Sequence, residues 1–288
     1  LGAKIEIEGG YIVTHTKGLK GAQIYLGGVF GSSVLATDNI MMAAVLAKGE
    51  TIIESAACEP EVEDLGNFLN SMGAKITGHG TPKITIKGVK ELHGANYSIT
   101  SDRIEAATFV LLAAATKSPI TVTNANYSQL LVLVDKLEEY GAKIRVKDGA
   151  IDIKTPRKGK PVSVTTYPYP GFPTDIQAQF MALMALTPGV SVITDKVFPD
   201  RYMHIPELNR MGANIRREGN NAIVEGTPRL FGAPVMASDL RASAALVIAG
   251  LAAEGVTEIH RAYHIDRGYE NLDQKLIALG AKIRRENE

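Results

Sequence analysis

The sequence predicts an α/β protein built from internal repeats of about 70 residues, with buried helices and outer sheets. Three observations carry that expectation. First, one tag returns five times, as LGAKIEIEGGYI, MGAKITGHG, YGAKIRVKDGAIDI, MGANIRREGNN and LGAKIRRENE. Its glycines stand at 2, 73, 141, 212 and 280, so the spacings are 71, 68, 71 and 68. Second, strand-like and helix-like segments between the tags keep the same phase. Third, the first helix of each repeat is apolar nearly all round and rich in alanine, as in IEAATFVLLAAATKS, IQAQFMALMALTPG and LRASAALVIAGLAAEG. A helix without a polar face is buried on all sides, and alanine lets its neighbours approach closely.

Each repeat then reads in order. A strand opens it: GAQIYLGG, ANYSITS, PVSVTTYP or APVMASD. The apolar helix follows. A second strand comes next, usually after glycine: GETIIESAA, SPITVTNA, GVSVITDKV or GVTEIHRAY. A second, amphipathic helix with a charged outer face, as in SQLLVLVDKLEEYGAKI, leads into the tag. The glycine just past it suits the left-handed residue that closes a helix. The tag strand then turns through Gly- or Asn-rich positions into a partner strand.

The phase also predicts that a further segment precedes Leu1. The chain opens on a tag strand without its helix, and it closes on one without its partner strand. An upstream segment is expected to complete the fold. Residues 1–100 are expected to form the end of one repeat domain and 101–288 most of a second.

Composition excludes several classes. Lys+Arg and Asp+Glu both total 31, so no net charge draws the chain to nucleic acid or to a membrane surface. No apolar run approaches the roughly 20 residues that span a bilayer. The single cysteine, Cys58, permits no internal disulfide and fits a reducing, cytoplasmic compartment. No metal-ligand spacing is present. His204 and His264, beside Arg201 and Arg267, suit orienting or packing roles. The methionines at 41–42, in FMALM and in RM suit core packing.

Chemistry gathers where the first helices begin. An aspartate preceded by Ser or Thr stands there in every repeat: Asp38, Asp102, Asp175 and Asp239. Capping explains such acids in general, because they accept from the free N–H groups of a first turn. Asp175 and Asp239 keep additional company. Arg103, Arg201, Arg241 and Arg267 stand in SDRIE, FPDRYMH, SDLRAS and HIDRGYE, at helix starts or strand ends. Arginine clamps phosphate and carboxylate bidentately, and helix N-termini attract anions. Together they point to an anion site.

FPTDIQAQF, VFPDRYMHIPEL, MASDLRASAALVIAG and YHIDRGYENLDQKLIALGA resemble the UDP-N-acetylglucosamine 1-carboxyvinyltransferases, enolpyruvyl transferases that begin peptidoglycan synthesis. ESAACEPEVEDLGNFLNSMGAKITG and SDRIEAATFVLLAAA resemble them too, so the match runs along essentially the whole chain. The resemblance implies an inside-out α/β barrel and an addition–elimination reaction without metal or organic cofactor. That reaction moves the enolpyruvyl group of phosphoenolpyruvate onto the 3-hydroxyl of UDP-N-acetylglucosamine and releases phosphate. By the resemblance Asp175 is the base, Arg267 holds phosphoenolpyruvate, and Asp239 meets the reacting group. Arg103, Arg201 and Arg241 are further arginines of the site. Val197 lies near the nucleotide sugar, and Ser33 and Val34 match substrate-contacting positions.

Two departures qualify the resemblance. The family's reactive cysteine belongs to a loop upstream of Leu1, so Cys58 is expected to be a packed thiol and this chain alone is expected not to turn over. The lysine that many members carry before Ser-Val is replaced by LGGVFGSSV, where Gly27, Gly28 and Gly31 could offer backbone N–H groups. Two alternatives stand beside the leading function: a non-catalytic anion-binding scaffold of the same repeats, and a shikimate-pathway enolpyruvyl transferase.

Overall fold

A computed structural model describes residues 1–286. The tail RRENE, expected to be a solvated charged end, therefore lies partly outside the described residues. Two compact units result. One comprises Leu1–Thr100 with Pro168–Pro170, and the other begins at Ser101 and takes the rest.

The first unit holds one whole repeat. Strand Gln23–Tyr25 leads to helix α1 (Val34–Ala44), strand Glu50–Glu54, helix α2 (Pro60–Ser71) and the hairpin Lys75–Thr77/Lys83–Lys87. The opening strand pairs parallel with Glu50–Glu54, which pairs antiparallel with Lys83–Lys87. The sheet order is thus first, second, last and tag strand. The tag at the chain start makes a separate hairpin, Lys4–Glu8 with Tyr11–His15.

The second unit repeats this plan. Its helices are α3 (Arg103–Thr116), α4 (Leu131–Tyr140), α5 (Gln177–Ala185), α6 (Ile205–Arg210), α7 (Leu240–Ala252) and α8 (Leu272–Ala278). The sheet made by Val164–Thr166, Gly189–Asp195, Asn221–Gly226 and Asn214–Glu218 copies the order seen in the first unit. Two expected strands are missing. ANYSITS runs as irregular chain, and so does the described part of the tag that starts at Gly280, which pairs with no strand among the described residues.

The buried-helix expectation is met most fully by α5, where all nine residues are buried, Gln177 and Gln179 included. α3, α5 and α7 pack on one another, and their alanines and leucines form the centre of the second core. The second helices end as expected: Gly73, Gly141, Gly212 and Gly280 all have φ between +91° and +106°. Gly88 and Gly226 are required for a different reason. Gly88 follows its repeat's last strand and Gly226 ends its own, and a Cβ there would stand 1.6 Å from the carbonyl oxygen of Ala47 or Thr187. Among the described residues no helix is long and apolar enough to cross a membrane.

Candidate active site

The four aspartates part company in the structure. Asp102 and Asp239 are true caps. Asp102 accepts from Ile104 N at 2.8 Å and Glu105 N at 3.0 Å. Asp239 accepts from Arg241 N at 2.8 Å and Ala242 N at 2.9 Å. Asp38 does not start its helix: Ser33 caps α1 instead, accepting from Ala36 N, and Asp38 falls inside the helix. The reason is local. The chain between Ser33 and Asp38 reads VLAT, which contains no breaker, so the helix begins at the earlier cap. Burial, then Glu59 and Glu61, push the Asp38 carboxyl up to about 6.

Asp175 caps nothing. It sits in a 3-10 turn, Thr174–Ile176, ahead of α5. Its Oδ1 accepts from Arg201 Nη1 at 3.0 Å and Arg241 Nε at 3.2 Å. Burial alone would raise this carboxyl, but Arg201 and Arg241 outweigh it and hold it below its ordinary range. The Asp175 side chain stays 37% exposed, so the carboxylate can still be reached from solvent.

Each arginine is braced from behind. Arg201 also donates toward Thr174 Oγ1 at 3.4 Å and lies over the ring of Phe198. Arg241 donates to the Tyr269 hydroxyl at 3.3 Å, with its Cζ 5.7 Å from that ring's centre. Behind Thr174 is Asp195, fully buried, which accepts from Thr166 Oγ1, Thr174 Oγ1, Val197 N and Phe198 N at 2.7–3.0 Å. A buried carboxylate that receives four donors is fully satisfied and rigid. It fixes the turn that carries Val197 and delivers Arg201.

His204 is buried beside this group, and its Nε2 has no hydrogen-bond partner among the described residues. Burial, helped by Arg201 and opposed by Asp239, pulls its pKa down to about 4, so it is neutral near pH 7. His264 stacks on Tyr263, with ring centres 4.4 Å apart.

The remaining expected residues are placed as follows. Arg103 is buried at the first turn of α3. Arg267 is exposed at the end of the 3-10 turn Ala262–Arg267, with no hydrogen bond or ion pair among the described residues. The structure therefore joins Asp175, Arg201 and Arg241 directly and does not bring Arg267 into bonding contact with them. Ser33 and Val34 belong to the first unit, as cap and first residue of α1. Cys58 is half-buried, and burial followed by Glu59 raises its thiol pKa, which suits an unreactive side chain.

Sequence reasoning missed Asp195, Tyr269, Gln179 and Thr108. Asp195 left a signal: along SVITD the inward positions are Ser191, Ile193 and Asp195, so a charge stands where the strand's period demands a buried residue.

With this geometry in place, the comparisons are decisive. The family model of EPSP synthase (3-phosphoshikimate 1-carboxyvinyltransferase) matches residues 1–276. The UDP-N-acetylglucosamine 1-carboxyvinyltransferase of Methylacidiphilum infernorum is 54% identical over 285 residues, which span 99% of this chain and 68% of that protein. The chain belongs to the carboxyvinyltransferase family. UDP-N-acetylglucosamine 1-carboxyvinyltransferase 2 of Carboxydothermus hydrogenoformans is 55% identical over 288 residues, again 99% of this chain and 68% of the relative.

The fold is that of this family. The enolpyruvyl transferase NikO from Streptomyces tendae matches with a TM-score of 0.89 at 24% identity, over 98% of this chain and 69% of that one. EPSP synthase from Acinetobacter baumannii matches with 0.73 at 22% identity, over 99% of this chain and 69% of that one. At those identities the likeness concerns the fold of the carboxyvinyltransferases alone.

Proposed function

We propose that the chain serves the transfer of an enolpyruvyl group from phosphoenolpyruvate to the 3-hydroxyl of UDP-N-acetylglucosamine, with release of phosphate. This would be the first committed step of peptidoglycan synthesis, in the cytoplasm. The observation that carries the proposal is a single carboxylate oxygen, Oδ1 of the half-buried Asp175, shared by Arg201 and Arg241. The names of the relatives support the acceptor.

The chemistry needs both halves of that arrangement. A sugar hydroxyl is a poor nucleophile until a base takes its proton. Addition of its oxygen to the central carbon of phosphoenolpyruvate, with a proton gained at the methylene, gives a tetrahedral adduct. Loss of a proton and of phosphate restores the double bond. Asp175 is in its base form at neutral pH, and two guanidinium groups hold its carboxyl below the ordinary range. The same groups make it a weak base until an anion arrives. Phosphate or carboxylate oxygens that take over N–H donors of Arg201 and Arg241 relieve Asp175 of that stabilisation and raise its basicity. Arg267, Arg103 and Asp239 extend the site in this proposal, with Val197 near the nucleotide sugar, and Ser33 and Val34 are proposed as substrate-contacting residues. Residues 1–100 then end one family domain, and 101–288 form most of another.

A scaffold would need only the apolar repeat pattern, and nothing in that pattern calls for a half-buried acid between two arginines. The test measures phosphate release from phosphoenolpyruvate with UDP-N-acetylglucosamine, and with shikimate 3-phosphate as the competing acceptor. Asp175→Asn is expected to lower release by about 10²–10⁴-fold. Measurable and equal release from both proteins would overturn the role of Asp175. Because the chain alone is expected not to turn over, binding is followed as well. Phosphoenolpyruvate should shift the Nε–H resonances of Arg201 and Arg241, and unmoved resonances at saturating ligand would count against the site.

A further inference from the structure

The buried hydroxyl of Tyr269 lies at the centre of a hydrogen-bond knot behind Arg241. Tyr269 is 1% exposed and stands between the 3-10 turn Ala262–Arg267 and α8. Its hydroxyl lies 2.8 Å from Thr108 Oγ1, 3.3 Å from Arg241 Nη1 and 3.4 Å from Gln179 Nε2. Gln179 Nε2 also reaches Thr108 Oγ1 at 3.3 Å and the Asp175 carbonyl oxygen at 3.0 Å. Three buried helices, α3, α5 and α7, are thus tied at the ends where they begin.

The protons in this knot can be assigned. Thr108 gives its hydroxyl proton to the Ile104 carbonyl at 2.8 Å, so toward Tyr269 it is an acceptor. Tyr269 must then donate to Thr108, because each hydroxyl has one proton. Its lone pairs are left facing Arg241 and Gln179, both of which only donate here. The tyrosine oxygen is therefore an acceptor aimed at the guanidinium, and its proton points away from it. With Nη1 held there and the guanidinium planar, Arg241 Nε is directed at Asp175 Oδ1, 3.2 Å away.

We propose that Tyr269 is a positioning residue: oriented by Thr108, its hydroxyl fixes the Arg241 guanidinium against Asp175. This rests on the role given to Asp175 above. Tyr269 touches no reacting atom; it acts through Arg241.

The experiment is a carbon-13 NMR titration of the Asp175 carboxyl in the full chain, with thermal melts confirming that each variant is folded. Tyr269→Phe keeps the ring and removes the hydroxyl. Thr108→Val removes the acceptor that orients it, and Thr108→Ser restores that acceptor. Tyr269→Phe and Thr108→Val are expected to raise the Asp175 pKa, while Thr108→Ser keeps the parent value. The Arg241 Nε–H should exchange faster with water in the first two variants only. An unchanged titration in Tyr269→Phe overturns the proposal, as does a Thr108→Ser protein that behaves like Thr108→Val. If Tyr269→Phe fails to fold, the Thr108 pair decides by the same criteria. A parent chain whose Asp175 titrates in the ordinary carboxylate range overturns the two-arginine clamp itself. A low parent value left unmoved by the variants overturns Tyr269 alone.

Discussion

Asp38 and Asp175 occupy the same phase of the repeat, each after a threonine and before an apolar run, yet their chemistry is opposite. Asp38 faces Glu59 and Glu61, and burial with these two acids pushes its carboxyl up to about 6. Asp175 faces Arg201 and Arg241, which hold its carboxyl down against the effect of burial. Backbone placement differs as well, a helix interior in one unit and a 3-10 turn in the other. The repeat sets where an acid stands along the chain. The side chains that non-repeating positions bring to it decide whether it becomes a clamped base or an acid with a raised pKa.

The surrounding cores sharpen this contrast and give the largest expected effect. α5 is buried throughout, and Phe180 meets Phe172 edge to face with ring centres 5.3 Å apart. Phe180→Ala should cost about 3–5 kcal/mol in denaturant unfolding of the second unit. α1, its counterpart in the first unit, buries only Thr37, Met41 and Ala44, and Leu35 is 74% exposed. Leu35→Ser should stay within about 0.5 kcal/mol. A large loss at Leu35 would show that α1 is covered in solution, and the contrast between the helices would fall.

Next in size is an acid limb confined to the second unit. His204 has its pKa pulled from 6.5 to about 4 by burial. Between those values the unfolded chain binds a proton that the folded one refuses, so stability falls as pH drops from about 6.5 to about 4. The full loss is roughly 3 kcal/mol, from about 1.4 kcal/mol per pH unit. His204→Gln should flatten this limb in urea titrations at pH 7, 5.5 and 4.5. A limb of unchanged slope would assign the acid sensitivity elsewhere.

Much of this was legible in the sequence, and the exceptions have physical causes. The tag glycines, the order of strands and helices and the fully buried α5 follow from local periodicity and helix-closing chemistry, which neighbouring residues alone determine. The convergence of Asp175, Arg201 and Arg241 was legible only as a shared phase, since their pairing depends on how three segments pack. Thr108, Gln179 and Tyr269 left no local signal, because a single hydroxyl or amide side chain looks the same whether its partner is water or another segment. Asp38 was misplaced for the opposite reason: a stronger local cap, Ser33, stood one turn earlier. ANYSITS has strand-like composition, but no neighbouring strand pairs with it, and alternation without a partner does not make a strand.

Capping gives a smaller effect that separates the four aspartates again. Asp239→Ala removes the acceptor for two first-turn amides and should cost about 1 kcal/mol in the second unit. Asp38→Ala removes no cap and should show no such loss. Equal costs at the two positions would mean that the repeat phase, and not the cap geometry, governs their contribution.

The smallest effect carries the sign that distinguishes the two units. Asp38 has a buried carboxylate oxygen without a hydrogen-bond partner, beside Glu59, which has one too. Its folded pKa lies above the ordinary 3.8, so the folded chain binds the extra proton between about 3.8 and about 6. Stability from this group is therefore present at low pH and is lost as pH rises through about 6. Asp38→Asn removes the charge that the acids repel while keeping the shape. It should stabilise the first unit at pH 8, by less than about 1 kcal/mol after solvent screening, and should do nothing at pH 4. Asp175→Asn should do the reverse, weakening the second unit at pH 8, because it leaves Arg201 and Arg241 without their shared negative charge. Two aspartates in one repeat phase would then move stability in opposite directions under the same substitution. Chemical denaturation of both variants at pH 8 reads that difference directly, and shifts of the same sign would erase the distinction between the two acids.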